Sequence, residues 1–152
     1  IAYTRVGKGR SYQKNYLWDN KEDKLTNEQI YDIIMTGDEK MIPGSTGEMN
    51  INSWVKYCNW KQTIRSPLWC SKVIGSTSPR SSKWIKLNWK FYKSFRTDQM
   101  VSNLVHEWIH LLGFLHGSEN MTQEVPYIVG SIAGEVAAQI LEDERIKKLA
   151  MK

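Results

Sequence analysis

The chain has 152 residues, 41% of them hydrophobic and 24% charged, which suits one domain with its own core and excludes a disordered chain, a collagen-like repeat or a disulfide-packed miniprotein. No apolar run approaches the roughly 18 residues of a membrane span. The net charge of +5 is unevenly placed: residues 1–18 carry four cations and no acid, 19–48 eight acids against three lysines, 49–97 ten Lys or Arg and no acid, and 98–152 eight acids against four bases.

Residues 1–18 mix Tyr, Val and Gly and suit an early strand and turn. The first residue is Ile1, so any signal peptide or pro-segment would lie upstream of it. Thr26-x-x-Gln29 is a capping-box pattern. Ile30, Ile33 and Ile34 follow at helical spacing and Gly37 suits the stop, so the pattern predicts a helix over 27–36. Pro43, Gly44 and Gly47 mark a loop. Residues 51–75, rich in Trp, Ile and Val, read as one or two strands. Cys58 and Cys70 do not match the short spacing of structural zinc thiolates. A disulfide between them would add about 3 kcal/mol and imply an oxidising compartment; two buried thiols are the alternative. Residues 76–82 read as a polar loop.

Residues 84–92, WIKLNWKFY, alternate as a strand, with Ile85, Leu87, Trp89 and Phe91 on one face and Lys86, Asn88 and Lys90 on the other. A helix is predicted from about Asp98 to Leu112, its apolar stripe running through Val101, Leu104, Val105, Trp108, Ile109 and Leu112, with Gly113 as the cap. Pro126 opens a last helix, whose buried face is assigned to Val129, Ile132, Val136, Ile140 and Leu141. Gly130 and Gly134, four apart, would permit a close helix contact.

All three histidines of the chain, His106, His110 and His116, lie within HEWIHLLGFLH. On a helix His106 and His110 sit about 40° apart around the axis, so both imidazoles reach one point. Zinc accepts neutral imidazole in tetrahedral geometry. Glu107 can reach a water at that metal, as a general base does in metal-assisted peptide hydrolysis. A straight helix would carry residue 116 past the site. Gly113 can adopt a left-handed angle that turns the chain back and returns His116 to the same metal. Three protein ligands leave a position open, unlike a closed structural site.

Residues 106–116 thus resemble the H-E-x-x-H-x-x-G-x-x-H motif of the metzincin clan of zinc metallopeptidases. The resemblance implies an α+β fold with a small twisted N-terminal sheet, an active-site helix and a C-terminal helix. It implies one catalytic domain over 1–152, with an upper subdomain to about 112 and a lower one from about 113. It implies Zn²⁺ on His106, His110 and His116, and Glu107 as the base. An edge strand of the sheet would border the cleft and take up substrate, with residues 84–92 as the candidate. A methionine turn beneath the zinc falls to Met121, although the following TQEVPY matches no known form of it. Tyr127, the only tyrosine after the motif, is the candidate to contact the metal or donate to a developing oxyanion. Glu135 is weighed as a ligand of the kind a second zincin class uses, but His116 fills that need, which leaves Glu135 a place behind a ligand histidine.

The expected activity is therefore zinc-dependent endopeptidase action on a protein or peptide substrate, in an extracytoplasmic setting. The alternatives are a zinc amidase acting on a cell-wall peptide link and a zinc-containing binding module. The latter would use the basic block 49–97, with Trp84, Trp89, Lys86, Lys90 and Lys93, on nucleic acid or an anionic glycan.

Overall fold

The computed structural model describes residues 25–39, 47–78, 82–116 and 124–151. The expected strand in 1–18, the turn at Pro43 and Gly44, and Met121 lie outside these residues. Helix α1 spans Asn27–Thr36, and both halves of its capping box form. Thr26 Oγ1 accepts from the Gln29 amide at 3.2 Å, and Gln29 Oε1 from the Thr26 amide at 2.7 Å. Gly37 ends it in the left-handed region, at φ +64°, where a side chain would clash with its own backbone.

The sheet has three short strands in the order β1–β3–β2: β1 (Ser53–Lys56), β2 (Gly75–Ser76) and β3 (Ile85–Asn88). β1 runs parallel to β3, with Ser53 opposite Ile85 and Lys56 opposite Asn88. β2 runs antiparallel to β3, with Gly75 opposite Leu87. A parallel pair needs a long crossover, and that crossover holds two helices absent from the sequence reading. Helix α2 (Trp60–Arg65) is capped by Asn59, whose Oδ1 accepts from the Gln62 amide at 3.0 Å. Helix α3 (Pro67–Lys72) opens on a proline, which loses nothing in a first turn. Residues 51–75 thus hold two strands and two helices. Cys58, just ahead of the Asn59 cap of α2, and Cys70 within α3 form a disulfide across a Cα–Cα distance of 5.7 Å.

The strand expected over 84–92 stops at Asn88, and the reason is Asn88 itself. Its wholly buried side chain donates to the carbonyls of Trp69 and Val73 at 3.2 and 2.9 Å. Its Oδ1 accepts from the Lys90 amide at 3.1 Å and so caps a helical turn, α4 (Trp89–Tyr92). Ile85 and Leu87 enter the core as expected, but Trp89 leaves the strand and is 42% exposed. β3 is also the middle strand, so among the described residues the edges are β1 and β2.

Helix α5 (Thr97–Leu111) carries the expected stripe, with Val105, Trp108, Ile109 and Leu112 buried and Val101 and Leu104 partly so, and it also buries Leu111. Trp108 Nε1 donates to the buried Glu39 at 2.6 Å. Helix α6 (Val125–Ala150) packs along α5 as the main helix pair. The close contact expected at its glycines is present. A Cβ on Gly130 would lie 2.6 Å from the Ser102 carbonyl oxygen and 3.0 Å from His106 Cβ, and one on Gly134 3.0 Å from the Asp98 carbonyl. The expected buried face of α6 is only partly buried. Ile132 is covered, whereas Val136, Ile140 and Leu141 are exposed. At 1.5 Å per residue α5 is about 22 Å long and α6 about 39 Å, so α6 outruns its partner. Ile30, Ile85, Ile109, Leu112, Phe114 and Val125 form the heart of the core between sheet and helices. Among the described residues no helix is long and apolar enough to cross a membrane.

Candidate metal centre

His106 and His110 stand one turn apart on α5. The helix ends at the next residue, and Gly113 takes φ +111°, a left-handed angle open to glycine. The turn brings His116 back, as the spacing predicted. One ligand atom from each imidazole lies within 4.8 Å of the others, a group able to hold a metal ion. The ring centroids are 5.1 Å apart for His106–His110, 5.1 Å for His106–His116 and 4.6 Å for His110–His116.

Each ring is held from behind. His110 Nδ1 lies 2.6 Å from the Phe114 carbonyl oxygen. His116 Nδ1 lies 2.5 Å from Glu124 Oε2. His106 bonds to the backbone of Pro126, which has a carbonyl but no N–H to offer. A carbonyl or carboxylate only accepts, so the ring nitrogens facing them carry the protons. A neutral imidazole has one N–H. The Nε2 atoms of His110 and His116 lie 3.1 Å apart, and with both rings neutral they present two lone pairs that a cation between them would satisfy. Tetrahedral zinc with bonds of about 2.05 Å sets its nitrogens about 3.3 Å apart. Burial pushes the pKa of His106 down to about 3, with the neighbouring His110 and His116 adding to it. Burial likewise pushes His110 down to about 4, against the stabilising Phe114 carbonyl. Both rings are therefore neutral at ordinary pH, the form in which imidazole can ligate a metal.

Glu107 is 4% exposed. Loss of water around it pushes its pKa up to about 7, against a bond from Thr77 that favours the ionised form. That bond, Thr77 Oγ1 to Oε2, is 2.8 Å long. Oε1 faces Gly75 on the edge strand, where a Cβ would lie 2.9 Å from it and 2.8 Å from Asn103 Oδ1. The lack of a side chain at 75 lets strand and carboxyl approach. Tyr127 packs on two of the histidines, its ring 4.5 Å from that of His106 and 5.0 Å from that of His116. Its pKa is raised by burial and by Glu124 and Glu107.

A cleft of about 670 Å³ opens onto this group, lined by Gly75, Asn103, His106, Glu107, His116 and Tyr127 among others. The fold thus brings together the five residues singled out from the sequence. Glu135 lines the same cleft away from the ligand set. Two contributors were missed. Thr77 carries no local signal. Glu124, at 1% exposure, lies eight residues after His116, and its role depends on how α6 starts. The cleft-side strand was expected at 84–92 and is β2 instead, because β3 is enclosed on both sides. The chain matches no family model, no curated protein and no solved structure.

Proposed function

We propose that the protein is a zinc-dependent endopeptidase of the metzincin kind. One observation carries this most: the Nε2 atoms of the buried His110 and the exposed His116 lie 3.1 Å apart while His106 stands beside them. Three neutral nitrogen donors with anchored second nitrogens suit zinc. When bound, the ion supplies Lewis-acid chemistry, polarising a scissile carbonyl and acidifying water.

The rest is the work of this chain. Glu107, next to His106 on α5 and lining the cleft, takes a proton from the attacking water and returns it to the leaving amine nitrogen. Thr77 fixes one carboxyl oxygen and leaves Oε1 for the proton. Tyr127, whose ring packs against those of His106 and His116, is the donor to the oxyanion in this reading. The β2 edge offers backbone groups to an extended peptide, which would bind by strand addition. That mode selects peptide over compact substrates.

The test is a digest of a diverse peptide mixture read by mass spectrometry, with zinc-loaded parent and Glu107→Ala side by side. Cuts by the parent alone, lost on chelation and restored by zinc, are the expected result. Cuts by both proteins would refute the assigned base. No cuts by a fully metallated parent would refute the peptidase reading, and release of products from peptidoglycan fragments would move it to the amidase.

A further inference from the structure

Away from the cleft, the segment 58–72 is an anomaly of burial. Helix α2 buries no residue and α3 buries only Cys70. Trp60, Ile64 and Leu68 are 70%, 72% and 70% exposed, the most exposed large apolar side chains of the described residues before the last helix. A disulfide nonetheless fixes this segment, so it is held rigid while showing its apolar groups to solvent. Its charges are of one sign. Lys61, Arg65 and Lys72 are exposed, and residues 49–97 contain no acid. The Lys61 ammonium sits 5.4 Å over the Trp60 ring.

We propose that the stapled pair α2 and α3 is a docking knob for an anionic lipid surface. Indole is favoured at the depth of the headgroups. Aliphatic Ile64 and Leu68 partition into the acyl boundary, and the cations are attracted to acidic headgroups. Single-stranded nucleic acid would use the same cations and the indole, but it has no use for two exposed aliphatic chains, since recognition there rests on stacking. The crosslink removes the ordering cost that a flexible loop would meet on binding. Residues 72–75 run from the knob into the cleft wall, so docking holds the cleft close to the bilayer. The proposal does not depend on the peptidase reading.

The experiment is co-sedimentation of the full chain, disulfide intact, with vesicles of phosphatidylcholine alone or mixed with phosphatidylglycerol. Binding to the mixed vesicles, weaker at high salt, is expected. Ile64→Ser with Leu68→Ser should lower partition by roughly tenfold or more. Lys61→Glu with Arg65→Glu should abolish the preference for the acidic lipid. Both variants should keep the parent's circular dichroism and zinc affinity, which separates this test from that of the metal centre. The proposal is overturned by no binding to mixed vesicles, by equal binding to neutral ones, or by undiminished binding of the serine variant. It is also overturned by self-association of the parent that the serine variant loses, or by binding of a single-stranded oligonucleotide that Trp60→Ala abolishes and the serine variant retains.

Discussion

Acidification of the metal-free protein tests the electrostatics of the centre directly. His106 and His110 have native pKa values of about 3 and 4, against about 6.5 unfolded. Between those limits the unfolded chain binds two protons that the native one refuses. These groups stabilise the fold fully above their unfolded pKa, and the contribution is lost as pH falls through about 6.5. Glu107 works the other way. Its native pKa of about 7 exceeds the unfolded value of about 4.3, so between the two the native state holds the extra proton and gains stability on acidification. Two histidines outweigh one glutamate. With 1.36 kcal/mol per proton per pH unit, the sum over the three groups is a loss of about 1.5 kcal/mol from about pH 7 to about pH 5, nearly all of it below about 6.5. Glu107→Gln removes the opposing contribution, and the loss over the same interval should rise to about 3.5 kcal/mol. Urea unfolding of the chelated protein across this range, parent against variant, measures both numbers. Stability that stays flat or rises on acidification would refute the neutral, buried histidine pair. An equal slope in parent and variant would refute the protonated Glu107.

Glu124→Gln keeps the shape behind His116 but removes the charge that fixes its tautomer, so zinc affinity should fall about 10–100-fold in a chelator competition, with little change in fold. Gly130→Ala would press a methyl to within 2.6 Å of the Ser102 carbonyl; forcing α6 off α5 should cost about 1–3 kcal/mol, offset by up to about 1 kcal/mol of helix propensity. That variant should also weaken zinc binding, because the carbonyl of Pro126 and the ring of Tyr127 move with the helix; stability and affinity both equal to the parent would contradict the packing. Replacing Cys58 and Cys70 by serine should lower unfolding free energy by about 3 kcal/mol while leaving zinc affinity intact, as unfolding and metal titration of the same sample would report.

The helices were legible because their signals are local. Thr26 and Gln29 cap α1 within four residues, and the apolar stripe of α5 repeats at helical period. The histidine group was legible because one glycine angle, at 113, closes it within eleven residues. What sequence did not give was decided at a distance. Asn88 reads as one more polar position of a strand until the carbonyls of Trp69 and Val73 claim its amide. The caps of α2 and α3, Asn59 and Pro67, were in view, but the Trp, Ile and Val around them suggest strand and outweighed them. Thr77 and Glu124 act across chain separations of 30 and 8 residues, where spacing carries no information. Val136, Ile140 and Leu141 have the spacing of a buried face, yet nothing in a helix's own sequence says where its partner ends.

That mismatch of helix lengths has a consequence for hydrogen exchange. The amides of α6 alongside α5, from about residue 129 to 138, open only when the helix pair separates and should exchange near the global unfolding limit. Beyond them the same helix is held only by its own hydrogen bonds and exposed pairs such as Arg145–Glu142, and an isolated stretch of that length is marginal in water. Amide protection should therefore decay along one continuous helix, from residues packed beside the histidine group to residues that fray at its far end.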